Sequence, residues 1–161
     1  MRDPISVGLG ERVVSRDPLD VLVAYGLGSC LGIGMVDPVR RICGLMHAVL
    51  PEKNNGTDPL NPKFVDSGIL GLIEDMIKAG ADSNRLVTRM AGGANMLTAP
   101  GLSKTFDIGT RNITAAHATF AKLRMKLVSE DVGGTRGRTV RFYVGDTKMT
   151  VRVIGEKEID L

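Results

Sequence analysis

Apolar and polar positions alternate in short runs along most of this chain, and they recur at helical spacing in only two places. Leu22–Tyr25 is apolar and β-prone. Leu31–Val36 and Ile42–Leu50 read as two strands joined by a turn at Asp37–Arg40, where Asp-Pro is a turn-initiating pair. Pro51–Pro62, rich in Asn, Gly and Pro, reads as a loop. Val65, Ile69, Leu72, Ile73, Met76 and Ile77 then recur at three- and four-residue steps and predict a helix. Asn61 suits its N-cap, Pro62 its first position and Gly80 its stop.

Arg85–Met90 predicts a further strand, broken by Ala91-Gly92-Gly93-Ala94-Asn95-Met96. A second helix is expected from near Asn112, with a core-facing stripe of Ile113, Ala116, Phe120, Leu123 and Leu127. Asp131–Arg138 is rich in turn residues. Thr139–Val144 and Met149–Ile154 form a hairpin closed by Gly145–Lys148, and the tail from Gly155 reads as polar and frayed. Strands at both ends with few helices between them predict a mixed, layered α/β fold, with helices packed outside mixed sheets. With 161 residues and no linker-like stretch, a single domain over 1–161 is expected.

Composition narrows the function. Hydrophobic residues make up 43%, enough for a core, and aromatics only 4%, so Val, Ile, Leu, Met and Ala must fill it. A net charge of +3 is too weak for a nucleic-acid partner, which would also want a basic face interleaved with aromatics. No apolar run approaches a membrane span and no signal peptide is visible, so a cytoplasmic location is expected. Two cysteines, Cys30 and Cys43, are too few for a disulfide framework or a cysteine-based zinc site, and no metal is expected.

Candidate chemistry centres on Tyr25-Gly-Leu-Gly-Ser-Cys30. Gly26, Gly28 and Gly32 miss the dinucleotide fingerprint, because its third glycine position is Leu31 and no helix follows. A P-loop is absent. That leaves the thiol, which is either a buried small hydrophobe or a nucleophile with a base in reach.

Only His47 and His117 are available, and His117 falls on the second helix. A two-residue loop at Pro38-Val39 or a four-residue loop at Asp37–Arg40 gives a hairpin whose paired numbers sum to 77. That register sets Cys30 opposite His47, with Cβ atoms about 4.5–5.5 Å apart. It also sets Cys43 opposite Gly34, about 13 Å from Cys30, too far for a disulfide and against a redox pair. Gly26 and Gly28 are expected to bend the chain so that amides, that of Cys30 foremost, face the thiol. Gly92-Gly93 and Gly133-Gly134 read as turns rather than as a groove lining. Arg136, Arg138 and Arg141 read as a solvated face, with an acidic protein surface as the alternative.

Gly26–Cys30, Asp37-Pro38, Gly44–Pro51 (GLMHAVLP), Asn61–Asp66 (NPKFVD), Gly92–Met96 (GGANM), Ile108–Asn112 (IGTRN) and Asp131–Phe142 together resemble the CheD family, in order along nearly the whole chain. These are chemoreceptor glutamine deamidases. The resemblance implies a fold similar to the catalytic domain of cytotoxic necrotizing factors and hydrolysis of glutamine side chains on methyl-accepting chemotaxis receptors. It implies Cys30 as nucleophile, His47 as general base, amides near Gly28, Ser29 and Cys30 as oxyanion donors, and no cofactor. It also implies a CheC-type phosphatase as a partner of some members.

One position departs. The family's third catalytic residue is a threonine six positions before the cysteine, and here that position is Ala24. Either another group orients His47, or activity is reduced, or the chain has lost deamidation and acts only as a binding partner of receptors or of the phosphatase.

Overall fold

A computed structural model describes residues 2–53, 58–96 and 107–161. Part of the expected Pro51–Pro62 loop lies outside the described residues. Among the described residues ten strands and two α-helices follow one another in the order β1 (Ile5–Ser6), β2 (Arg12–Ser15), β3 (Val21–Leu27), β4 (Leu31–Asp37), β5 (Ile42–Ala48), α1 (Val65–Lys78), β6 (Val87–Gly92), α2 (Ile108–Leu123), β7 (Lys126–Val132), β8 (Arg138–Tyr143), β9 (Lys148–Val153) and β10 (Ile159–Asp160). They build two five-stranded mixed sheets, β1-β3-β8-β9-β10 and β2-β5-β4-β6-β7.

The mixed α/β architecture is as expected. The second sheet is covered on one face by the helices and on the other by the first sheet. Its central strands are therefore buried on both sides, and the period-2 alternation of β4 separates two kinds of packing rather than core from solvent. Leu31, Ile33 and Met35 pack with Ile69, Leu72, Met76 and Phe120 of the helices. On the other face Gly32 and Gly34 stand where any Cβ would meet Leu27, Val140, Phe142 or Met149 of the first sheet. Glycine at alternate positions lets the two sheets approach.

Several expectations are corrected. The β4–β5 turn is Pro38–Arg41, so Asp37 pairs with Ile42 and paired numbers sum to 79, not 77. Asp37 sets this turn. Its buried carboxylate accepts from the amides of Val39 at 3.0 Å and Arg40 at 3.2 Å, which places the loop one residue later than the Asp37–Arg40 assignment. Cys43 consequently faces Val36 rather than Gly34, six residues along the strand from Cys30 or about 20 Å. Both cysteines are free and buried, and a Cys30–Cys43 redox pair is ruled out by that distance.

Helix α1 begins at Val65 and not at Pro62. Asn61 caps a local turn instead, its Oδ1 accepting from the Lys63 amide at 3.0 Å. Helix α2 starts four residues before Asn112 and stops at Leu123, where Arg124 adopts a left-handed conformation. Leu127 therefore belongs to β7, a strand the helical stripe had absorbed. The tail is not frayed, since β10 pairs with β9 and closes the edge of the first sheet. No helix among the described residues is long and apolar enough to cross a membrane.

Candidate active site

Cys30 sits at the crossing from one sheet to the other. Strand β3 ends the first sheet's contribution at Leu27, β4 begins the second at Leu31, and Gly28-Ser29-Cys30 makes the passage. The pairing of β3 with β8 is interrupted between Ala24 and Leu27, and Gly26 lies there at φ 63°, where a side chain is strained. Gly28 has no such φ. Its lack of a Cβ matters because the Met96 sulfur lies close over it.

The crossing is pinned from behind. Three successive carbonyls each accept a hydrogen bond: Gly28 from the Ala94 amide at 2.9 Å, Ser29 from Asn112 Nδ2 at 2.8 Å, and Cys30 from the Gly93 amide at 2.9 Å. Gly92, at φ 117°, passes so near that any Cβ there would overlap the Cys30 carbonyl oxygen. The Gly133-Gly134 turn braces the same segment, its Gly133 amide donating to the Gly92 carbonyl at 3.0 Å. Gly133-Gly134 lies at a bend, in keeping with the turn expected there, whereas Gly92 is the last residue of β6, paired with Leu31 and Val132, so the first pair is a strand end rather than a turn and backs the cysteine loop.

His47 lies on β5 opposite Gly32, not opposite Cys30. The error in register is two residues, and a two-residue slip keeps each side chain on its face. His47, opposite Gly32, faces the first sheet, and Cys30, one residue before β4, packs in the cluster between the two sheets. Cys30 is 9% exposed and His47 2%.

His47 Nδ1 stands 3.0 Å from the Val7 carbonyl oxygen. A carbonyl can only accept, so Nδ1 carries the proton and Nε2 the lone pair. That Nε2 is buried with no hydrogen-bond partner, so the thiol is not hydrogen-bonded to it in this resting state. The N-terminal segment holds the ring's strand as well. The His47 amide donates to the Glu11 carbonyl at 3.0 Å, and the Gly10 amide donates to the His47 carbonyl at 2.9 Å.

Burial lowers the His47 pKa, against the opposing pull of the Val7 carbonyl and the Glu11 charge. Burial raises that of Cys30, partly offset by its own amide hydrogen bonding to the thiolate. The resting pair is a neutral thiol and a neutral imidazole. Cys43, deep in the core, is pushed up to about 12 by burial and is chemically inert.

Ala24 is fully buried in the same inter-sheet cluster as Cys30 and offers no polar atom. The Val7 carbonyl occupies the orienting position on the imidazole instead. Ser29 is half-buried beside the thiol. The basic cluster is not one solvated face. Arg138 is buried, bonded to Asp131 at 3.0 Å and to the Gly92 carbonyl at 3.2 Å, while Arg136 pairs with Glu156 and Arg141 lies over the Tyr25 ring. His117 is on the surface of α2, bonded to Glu130 at 2.9 Å.

The arrangement offers a thiol, a base with a free lone pair and backbone amides on one side of a loop, which is the equipment of acyl transfer. Sequence reasoning missed two members. The Val7 carbonyl is a main-chain group and leaves no mark in the sequence. Asn112 does leave one, as a polar, poor helix former four residues before Ala116 on the core-facing stripe.

A family model described as "CheD chemotactic sensory transduction" matches residues 49–153. The chain is 41% identical over 158 residues to a protein of Symbiobacterium thermophilum named "Probable chemoreceptor glutamine deamidase CheD", covering 97% of this chain and 96% of that one. Proteins of the same name from Caldanaerobacter subterraneus (41% over 152 residues, 94% and 93% covered) and Desulfitobacterium hafniense (36% over 161 residues, 99% and 100% covered) are similar along their whole length.

Proposed function

The chain belongs to the CheD family, and on that premise we propose that it hydrolyses glutamine side-chain amides of methyl-accepting chemotaxis receptors to glutamates, with Cys30 as nucleophile and His47 as base. His47 Nε2 takes the thiol proton. The sulfur attacks the carboxamide carbon and the carbonyl oxygen becomes an oxyanion facing the Ser29 and Cys30 amides, each such donor worth about 3–4 kcal/mol in comparable sites. As the C–N bond breaks, the imidazolium returns the proton to the leaving nitrogen and ammonia departs. Water, deprotonated by Nε2, then attacks the thioester. The C–S bond breaks, the thiol is regenerated and glutamate remains.

The observation that carries this reading is the state of His47. Its Nδ1 is tied to the Val7 carbonyl, and its buried Nε2 has no partner among the described residues. With Nδ1 fixed as the donor, Nε2 is the nitrogen left to take a proton. A ring oriented this way does not need the threonine hydroxyl that Ala24 lacks, which favours a working enzyme over a binding partner that has lost its chemistry.

The test is mass spectrometry of a receptor cytoplasmic domain incubated with the protein. Receptor glutamines gain the mass of an amide becoming an acid with the native chain. They do not with Cys30→Ala, and His47→Ala slows the reaction by about 10²–10⁴-fold. Deamidation by Cys30→Ala at the native rate would refute the mechanism.

A further inference from the structure

Asn112 is fully buried in α2, and its side-chain amide donates to two carbonyls, Ser29 at 2.8 Å and Val49 at 3.1 Å. This orientation is set by the partners, because the reversed amide would place its oxygen against two acceptors. The two carbonyls belong to the two chains that carry the chemistry. Ser29 immediately precedes Cys30, and Val49 follows His47 by two residues. No other side chain among the described residues joins these two segments by hydrogen bonds.

We propose that Asn112 is the positioning residue of the oxyanion site, clamping the Ser29–Cys30 peptide so that the Cys30 amide faces the carbonyl oxygen of the reacting amide as it becomes an oxyanion. The inference rests on the Cys30 mechanism above. The Ser29 carbonyl and the Cys30 amide are the two ends of one planar trans peptide, and they point in opposite directions. Fixing the carbonyl from behind therefore fixes the N–H in front. The neighbouring planes are fixed in the same way by main-chain donors, Gly28 by Ala94 and Cys30 by Gly93. The middle plane, whose amide lies beside the sulfur, is the one that depends on a side chain. Hydrogen bonding from the Cys30 amide favours the thiolate, against the burial that raises the thiol's pKa. A flip of this peptide would replace the donor with a carbonyl oxygen and close the site to an oxyanion.

Asn112→Asp keeps the shape and removes the donor, and Asn112→Ala removes the side chain. Three quantities are compared with the native protein: receptor deamidation (kcat and KM), the pH profile of Cys30 alkylation by iodoacetamide, and thermal unfolding. Alkylation displaces iodide at a saturated carbon and passes through no oxyanion. The expected result is kcat reduced about 10²–10³-fold, the loss typical of one oxyanion donor. KM changes little, and the alkylation rate on its alkaline plateau stays near native with its midpoint moved upward.

Native kcat in either variant overturns the proposal. So does full recovery of kcat at a pH where the thiol is ionised, or an alkylation plateau that falls in step with kcat. Should neither variant fold, the native protein decides by NMR. The Asn112 side-chain protons stay protected from exchange, and the Cys30 amide shifts when a glutamine-derived aldehyde adds to the thiol. A silent Cys30 amide overturns the proposal. Deamidation by Cys30→Ala would remove the mechanism itself, and is read before any Asn112 variant is made.

Discussion

His47 and Val7 meet across two sheets, the imidazole Nδ1 of one 3.0 Å from the carbonyl oxygen of the other. Val7 is held in turn, its amide donating to Val23 of β3 at 2.7 Å. The ring is thus oriented by main chain from the N-terminal segment, and its tautomer follows from the direction of a peptide bond.

The tautomer and its pH dependence are measurable. Burial holds the folded His47 below the ordinary imidazole value of about 6.5. The unfolded chain therefore binds more protons at mildly acid pH. Stability from this group is full above about 6.5 and is lost as pH falls through that value towards the folded pKa. Nitrogen-labelled histidine spectra are expected to show Nδ1–H and a bare Nε2 at neutral pH. The acid limb of kcat/KM is expected to have its midpoint below about 6.5. A midpoint above 7 would contradict the neutral resting pair.

Ala24→Thr tests whether the missing hydroxyl matters. Position 24 is fully buried between the sheets, and the imidazole nitrogen that a hydroxyl would orient is already bonded. The substitution adds volume and a polar atom to a filled layer, at about 1–3 kcal/mol of stability. The expected kcat changes less than tenfold, and the midpoint of thermal unfolding falls. A gain of a hundredfold or more would mean that the Val7 carbonyl does not substitute for threonine.

The opposition of Cys30 and His47 was legible in sequence only up to parity. Alternation put both residues on one face, but the turn's true register depended on Asp37 bonding to Val39 and Arg40, which strand periodicity does not encode. Leu127 was read as helical because apolar spacing continues through Arg124, where the chain reverses with a left-handed residue that no glycine announced. The short strands β1 and β2 carry too few residues for a periodic signal, so the carbonyl that orients His47 was invisible. The Gly92-Gly93 pair is visible in sequence as glycine-rich, but why each must be glycine follows only from the fold: Gly92 passes against the Cys30 carbonyl, and Gly93, at φ 68°, packs against Ile113 and Gly109 of α2.

At Gly92 a methyl group would overlap the Cys30 carbonyl oxygen, and φ is 117°. At Gly133 φ is 84°, but nothing lies within 4 Å of the added carbon. Gly133→Ala is expected to cost about 1 kcal/mol of backbone strain and to leave kcat nearly native. Gly92→Ala must displace the cysteine loop and is expected to cost more stability and to lower kcat at least tenfold. Denaturant unfolding with deamidation assays on both variants checks this. Equal effects would mean that Gly92 serves only the end of β6 and not the cysteine loop.

The far end of the same hairpin supplies a stability prediction separable from chemistry. Asp37 is wholly buried. It accepts from Arg85 Nε at 3.1 Å and Nη2 at 2.9 Å, from the Asp82 amide at 2.9 Å, and from the two turn amides already described. The Arg85 guanidinium, with those amides, holds its carboxyl well below the usual carboxylate range. Its contribution is therefore present above about pH 3.9 and is lost as pH falls below it. Asp37→Ala strands the Val39, Arg40 and Asp82 amides, while Arg85, one-third exposed, keeps its pairing with Asp82, so the loss is that of unsatisfied buried donors, about 1–3 kcal/mol. In a chain of 161 residues that lowers Tm by roughly 2–12 °C. Asp37 lies seven residues from Cys30 along the strand, and the cysteine loop is pinned independently by Gly93, Ala94 and Asn112. Deamidation at a temperature well below the lowered Tm is expected to stay within about threefold of native, a limit set by the near-additivity of well-separated sites. Calorimetry alongside the assay decides. A loss of kcat in the folded variant would show that the turn transmits to the thiol and is more than an anchor for the hairpin.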